Sequence, residues 1–223
     1  MASYTPPLTH PYVDGPPRQV PCFAGLHRMM TMLLAERVPE AGRVLVLGAG
    51  GGLELETLAE AQSGWQFVGV DPSPDMLDIA RKTAAAHLGR IDLVQGTVDV
   101  APEGPFDAAT CLLTFHFIPR DQRPETLRQI RRRLKPGAPF VLAHISITAN
   151  EPDRSAWLGR HVAFGANAPL DPAQIEKSRE MMATRLTILP PEEEEAMLAE
   201  AGFSGISLFY AAFSCRGWVA YAG

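Results

Sequence analysis

The run Val44-Leu45-Val46-Leu47-Gly48-Ala49-Gly50-Gly51-Gly52-Leu53-Glu54 passes from an apolar stretch through four glycines into a helical pattern. Glycines at such a junction let the backbone turn tightly and approach a ligand closely. The amides at the helix start then face that ligand. Taken alone, the loop also reads as a plain strand-to-helix turn. Asp71 closes the next apolar stretch, roughly twenty residues on, where an acid accepts hydrogen bonds from both hydroxyls of an adenosine ribose. Taken alone, Asp71 suits the turn chemistry of Asp71-Pro72-Ser73-Pro74. Loop and acid together point to a nucleoside cofactor.

The identity of that cofactor is narrowed by two departures. A dinucleotide fingerprint needs a third glycine, and Leu53 stands in its place. Pyrophosphate also favours a helix start free of negative charge, whereas Glu54 and Glu56 lie there. Negative charge suits a sulfonium cofactor, whose reactive centre is cationic. His116, in Leu113-Thr114-Phe115-His116-Phe117-Ile118, is the candidate catalytic group. It can deprotonate or orient an acceptor at the mouth of the site, or it can be a loop histidine bonded to backbone. His144, Arg160 and His161 are weaker candidates for substrate contact, with packing or surface roles as the default. Trp157 and Phe164 can line an apolar pocket, although core packing is the usual fate of such residues.

These residues need a scaffold, and the apolar pattern supplies one. Strands are expected over residues 44–47, 67–70, 91–95, 106–113 and 140–145, with helices over 53–61, 75–87 and 123–134. Residues 23–38 carry Leu26, Met29, Met30, Leu33 and Leu34 at helical spacing. The alternation implies a doubly wound α/β fold with a mostly parallel sheet. After residue 147 the rhythm breaks, and a helical insert over about 150–189 is expected to cover the carboxyl edge of the sheet. A helix opens at Pro190-Pro191, with Glu192 to Glu195 suiting its dipole. Residues 206–213 and 218–221 close the chain as an antiparallel hairpin. The division is then an arm over 1–22 and one domain over 23–223.

The 223 residues include 46% hydrophobic and 20% charged, ordinary for a globular domain. A net charge of −5 offers no field for direct nucleic-acid binding. The local run Arg131, Arg132, Arg133 and Lys135 reads as a solvated helix end. Cys22, Cys111 and Cys215 have no metal-ligand spacing, so no metal is expected, and reduced thiols suit a cytoplasmic protein. Residues 1–7 do not resemble a signal peptide, and no apolar run reaches membrane-spanning length.

With those residues in view, the chain resembles the class I S-adenosylmethionine-dependent methyltransferases over nearly its whole length. Gly48-Ala49-Gly50 looks like their first motif, Asp71 through Leu77 like the ribose acid and the helix after it, and Leu134-Lys135-Pro136-Gly137-Ala138 like the turn before strand five. Gly96-Thr97-Val98 stands beside the adenine by the same resemblance. The implied cofactor contacts are Phe23, Gly48, Ala49, Gly50, Asp71, Pro72, Met76, Thr97, Val98 and Leu112. The resemblance implies a seven-stranded sheet, S-adenosylmethionine as cofactor and S-adenosylhomocysteine as product.

A narrower resemblance is to the carboxy-S-adenosylmethionine synthases of tRNA wobble-uridine modification, carried by Val20-Pro21-Cys22-Phe23, residues 32–37, Lys177-Ser178-Arg179 and residues 201–222. It implies a homodimer, and puts Phe23 where that group has a tyrosine and Leu112 where it has an asparagine. Met197 falls on its carboxylate-holding arginine, and methionine cannot form that bidentate pair. Methylation of a small molecule is therefore the leading expectation. Synthesis of the carboxylated cofactor, nicotinamide-dependent oxidoreduction and a non-catalytic binding module are the alternatives.

Overall fold

The structure, a computed structural model, describes residues 12–166 and 168–223. Seven strands form one sheet in the order β3-β2-β1-β4-β5-β7-β6. These are β1 (Arg43–Leu47), β2 (Gln66–Asp71), β3 (Ile91–Gln95), β4 (Ala108–Leu112), β5 (Pro139–Ile145), β6 (Phe203–Ala212) and β7 (Cys215–Ala222). The first five run parallel, and β7 pairs antiparallel with both β5 and β6. The doubly wound, mostly parallel seven-stranded sheet with a closing hairpin is as expected.

Parallel strands covered on both faces must be apolar on both, and β1 illustrates this. Val44 and Val46 pack with Leu26, Met30 and Leu34 of α2 (Phe23–Ala35) and Leu55 and Leu58 of α3 (Leu53–Ala61). Leu45 and Leu47 face the other way, toward Leu127 and Ile130 of α5 (Arg123–Arg132) and Leu198 of α8 (Pro191–Glu200). Leu26, Met30 and Leu34 expose nothing, and each contributes about 1.5–3 kcal/mol by burial. Next to β2 and β3 lies α4 (Pro74–Thr83), whose cap Ser73 accepts the Met76 amide at 3.3 Å.

The remaining helices sit over the carboxyl edge of the sheet. A short α1 (Gly15–Gln19) contacts α6 (Asp153–Gly165), which packs on α7 (Pro172–Arg185). A reciprocal capping box between Asp171 and Gln174 opens α7. The helical insert is thus where the broken rhythm put it. Residues 1–11 of the expected arm lie outside the described residues, and Gly15–Gln19 within it is helical. The helix expected over 75–87 ends at Thr83 and tightens into a 3-10 segment, Ala85–Arg90. Among the described residues no helix is long and apolar enough to cross a membrane.

Two readings of charge need correction. In the basic run Arg132 and Lys135 are half-exposed, as a solvated helix end requires, but Arg133 exposes nothing and donates to the carbonyls of Asp99, Ala101, Pro102 and Gln129. Those carbonyls come from the turn and loop at residues 99–102 and from the last turns of α5, and the guanidinium fork satisfies several at once. Of the Glu192 to Glu195 run, Glu194 is buried and paired with the equally buried Arg123, and Glu195 accepts the indole N–H of Trp218 at 2.8 Å. Helix-dipole attraction alone does not account for them.

Candidate functional site

Strand order reverses at β1 and β4, so the loops leaving their carboxyl ends diverge and open a crevice. A cleft of about 1720 Å³ occupies it. The glycine loop after β1 forms its floor, Asp71 and Ser73 after β2 one side, Gly96 to Asp99 after β3 the next, and Leu112 to Ile118 after β4 the other. Helices α1, α6 and α7 form the roof.

The floor is held by backbone geometry that needs glycine. Gly48 has φ +72°, and a Cβ there would fall within 2.5 Å of the Thr114 side chain. Gly52 has φ +85°, and a Cβ there would lie 2.8 Å from the Ala80 backbone, so α3 and α4 approach closely only without one. On the opposite side Leu113 adopts φ +55°, a conformation costing on the order of 1 kcal/mol for a branched side chain. That turn ends β4 and carries Thr114 to Phe117 along the cleft wall.

Asp71 is 8% exposed. Its Oδ2 accepts the Gly50 amide and its Oδ1 the Ser73 amide, each at 2.9 Å. Burial raises its pKa, and those two amides oppose the rise. Each carboxylate oxygen keeps lone-pair capacity beyond its one amide. Glu54, one turn into α3, is buried in the same wall. Burial raises it to about 7, with the neighbouring Thr110 and Leu112 pulling weakly the other way. Among the described residues no group completes a hydrogen bond to its Oε1, nor to the buried Thr110 Oγ1. His27, stacked on Phe23 at 4.2 Å between ring centres, is held down to about 4 by burial.

His116 lies in the 3-10 turn Phe115–Phe117 and is 5% exposed in the cleft. Its Nδ1 accepts the Ile145 amide at 3.3 Å. Burial, with the nearby Arg123 and His161, pushes it down to about 3. His144 is buried on β5, with Nε2 3.5 Å from Glu194, and does not line the cleft.

All ten residues nominated as cofactor contacts, Phe23, Gly48, Ala49, Gly50, Asp71, Pro72, Met76, Thr97, Val98 and Leu112, line this one cleft. His116 and His161 line it too, whereas Trp157, Arg160 and Phe164 do not. Phe164 stacks on Phe213, and Arg160 covers the Trp157 ring. Met197 does not line the cleft; it packs in the core on α8 and borders a small surface recess with Arg120, Asp121, Pro124 and Glu200. Glu54 and His27 are the site residues that pattern did not nominate. The sequence places the negative charge of Glu54 at the helix start beside the cofactor, and only packing reveals that the side chain is buried there. Among the described residues, no group of three or more histidine, cysteine or acidic side chains is placed to hold a metal.

Residues 44–137 match the family model described as a methyltransferase domain. The chain is 26% identical over 197 residues to the carboxy-S-adenosyl-L-methionine synthase of Wolinella succinogenes, spanning 86% of this chain and 82% of that protein. It is 34% identical over 139 residues to a ubiquinone biosynthesis O-methyltransferase of Xanthomonas oryzae, spanning 60% of this chain and 55% of that one. Among solved structures, a putative O-methyltransferase from Nostoc punctiforme superposes with a TM-score of 0.66 at 20% identity. That match covers 90% of this chain and 57% of the other, and shows a shared fold.

Proposed function

We propose that the chain, which is similar to the class I S-adenosylmethionine-dependent methyltransferases, methylates a small molecule seated between the glycine loop and the α6–α7 roof. The observation that carries this reading is the convergence of Asp71, the glycine loop and an orphaned buried carboxylate on one cleft. The groups present fit the cofactor. Asp71 has the spare lone pairs to accept both ribose hydroxyls. Glu54, with no partner at Oε1, suits the donor-only ammonium of the methionyl half. Thr97 and Val98 lie where an adenine edge would rest, and Phe23 and Leu112 offer apolar contact.

When bound, S-adenosylmethionine supplies an electrophilic methyl carbon on a cationic sulfur. The chain's own contribution is alignment and exclusion of water, which is worth about 7–11 kcal/mol at best. The roof residues Met181, Met182 and Leu186 cover the acceptor space with apolar surface. Calorimetry with S-adenosylhomocysteine tests the reading: saturable binding at one site per chain is expected, and no binding at millimolar ligand overturns it.

The likeness over 86% of the chain to a carboxy-S-adenosyl-L-methionine synthase favours a second reading, synthesis of that carboxylated cofactor. With a methionine at position 197, packed into the core, the extra carboxylate would need another anchor. Mass spectrometry of ligand extracted from purified protein separates the two, a carboxylate increment on the methyl group marking the second. A homodimer, as the resemblance implies, is part of the proposal, and light scattering tests it.

A further inference from the structure

We infer that His116 serves the methyl acceptor as a fixed hydrogen-bond donor, through Nε2–H, and not as its base. The inference rests on the methyl-transfer reading of the cleft and adds the role of one residue and the chemistry of the acceptor.

The hydrogen-bond geometry decides the tautomer. A backbone amide can only donate, and the Ile145 amide points at Nδ1 of His116 from 3.3 Å. Nδ1 must therefore carry its lone pair, and in a neutral imidazole the proton then sits on Nε2. Protonating Nδ1 would set two donors against each other. The surroundings also oppose a cation. Arg123 and His161 place positive charge or its possibility nearby, and His144 stands 6.1 Å away between ring centres. The carboxylate that faces His144, Glu194, is already paired with Arg123. His116 also cannot swing away easily, since its carbonyl accepts the Thr187 amide at 2.8 Å and ties the turn to the chain leaving α7.

The ring therefore lines the cleft as a neutral donor whose lone pair is occupied. A base needs a free lone pair, and this histidine has none to offer. In the transfer the nucleophile–carbon bond forms as the carbon–sulfur bond breaks, with the electron pair ending on sulfur, and the imidazole keeps its proton throughout. The acceptor that such a site selects presents an oxygen lone pair to Nε2–H, as a carboxylate or carbonyl does. Arg18 and Arg185 line the same cleft from α1 and α7, and among the described residues neither forms an ion pair with a carboxylate. They favour the carboxylate. The acceptor class is a small organic acid.

Nitrogen-15 spectra of the imidazole side chains test this on the full chain, with and without S-adenosylhomocysteine, using His116→Gln to assign the signal. The expected pattern is a neutral Nε2–H ring from about pH 8 down to about pH 5. An Nδ1–H ring, or protonation with a midpoint above about pH 6, overturns the donor role. Benzoate is the probe for the acceptor class, with benzyl alcohol as the neutral control. Benzoate should move the His116 Nε2 signal, and His116→Phe should weaken benzoate roughly fivefold or more while His116→Gln, which keeps a donor, recovers most of it. Equal responses to the acid and the alcohol overturn the acceptor class. Failure to bind S-adenosylhomocysteine with the Nε2–H pattern intact counts against methyl transfer and leaves the tautomer standing.

Discussion

Asp71 and Gly50, twenty-one residues apart in sequence, are joined by a 2.9 Å hydrogen bond from the glycine amide to Oδ2. The loop and the acid are thereby one unit. The carboxylate fixes the path of the loop, and the loop fixes the rotamer of the carboxylate. Its other oxygen is pinned by Ser73, so the spare lone pairs of both oxygens point in set directions before any ligand arrives.

Replacing Asp71 by alanine should therefore act twice. It removes the acceptor for the ribose and leaves the Gly50 and Ser73 amides without their partner. Affinity for S-adenosylhomocysteine should fall roughly 100-fold, about 2.7 kcal/mol, as read by calorimetry. An unchanged dissociation constant would show that the ribose is not held here.

Glu54→Gln isolates the ammonium contact. S-adenosylhomocysteine carries that ammonium and 5′-methylthioadenosine does not. The substitution should weaken the first by roughly tenfold or more and the second little, because a charge-assisted bond is lost only with the first. The wild-type chain should show a matching pH dependence. Below about 7 the Glu54 carboxyl takes up a proton, so affinity for S-adenosylhomocysteine should fall with acid while methylthioadenosine stays level. Parallel losses for both ligands would remove Glu54 from this role.

Buried histidines govern stability in acid. His27 and His116 are held at about 4 and about 3, and His144 and His161 are also lowered, chiefly by burial. A lowered folded pKa means that the unfolded chain binds protons first, and each such histidine costs about 1.4 kcal/mol per pH unit below about 6.5. Glu54 and Glu194, raised to about 7, and Asp71, also raised, work in the opposite sense. They bind protons in the folded state first, so their stabilisation is lost as pH rises through the folded pKa. Between about 6.5 and 4.5 the lowered His27, His116 and His144 outnumber the raised Glu54 and Glu194, so stability should fall as the pH falls through that window. Urea unfolding at several pH values checks this, and a stability that rises toward pH 5 contradicts it.

Arg123→Met should be among the most damaging substitutions outside the cleft. Arg123 pairs with Glu194 and also donates to the carbonyls of Ile118 and Thr187. Its loss strands a buried carboxylate, a change worth about 3–5 kcal/mol. Adding Glu194→Gln removes the stranded charge and should recover part of the loss. A double variant no more stable than the single one would show that the backbone carbonyls, not the charge, matter most.

The strand–helix alternation was legible because buried parallel strands and amphipathic helices have different apolar periods. β3 and α3 have the expected bounds, and the cofactor contacts follow from a loop whose glycines have few other uses. Arg133 and Glu194 were misread for a common reason. A charged residue inside a helix has the same local signature whether it meets water or a buried partner. The partners lie far off in the chain, with 71 residues between Arg123 and Glu194 and 34 between Arg133 and the Asp99 carbonyl it reaches.

Floor and roof are built to different standards. The glycine loop rests on strands with no free volume, and a single added methyl at Gly48 collides with Thr114. In contrast, α7 buries none of its side chains and α6 buries only Leu158. Substitutions along the inner side of α7 thus escape most of the penalty for disturbing a packed interior. Under the proposed function, the half of the cleft over the acceptor is then free to drift toward new molecules while the half assigned to the cofactor stays fixed.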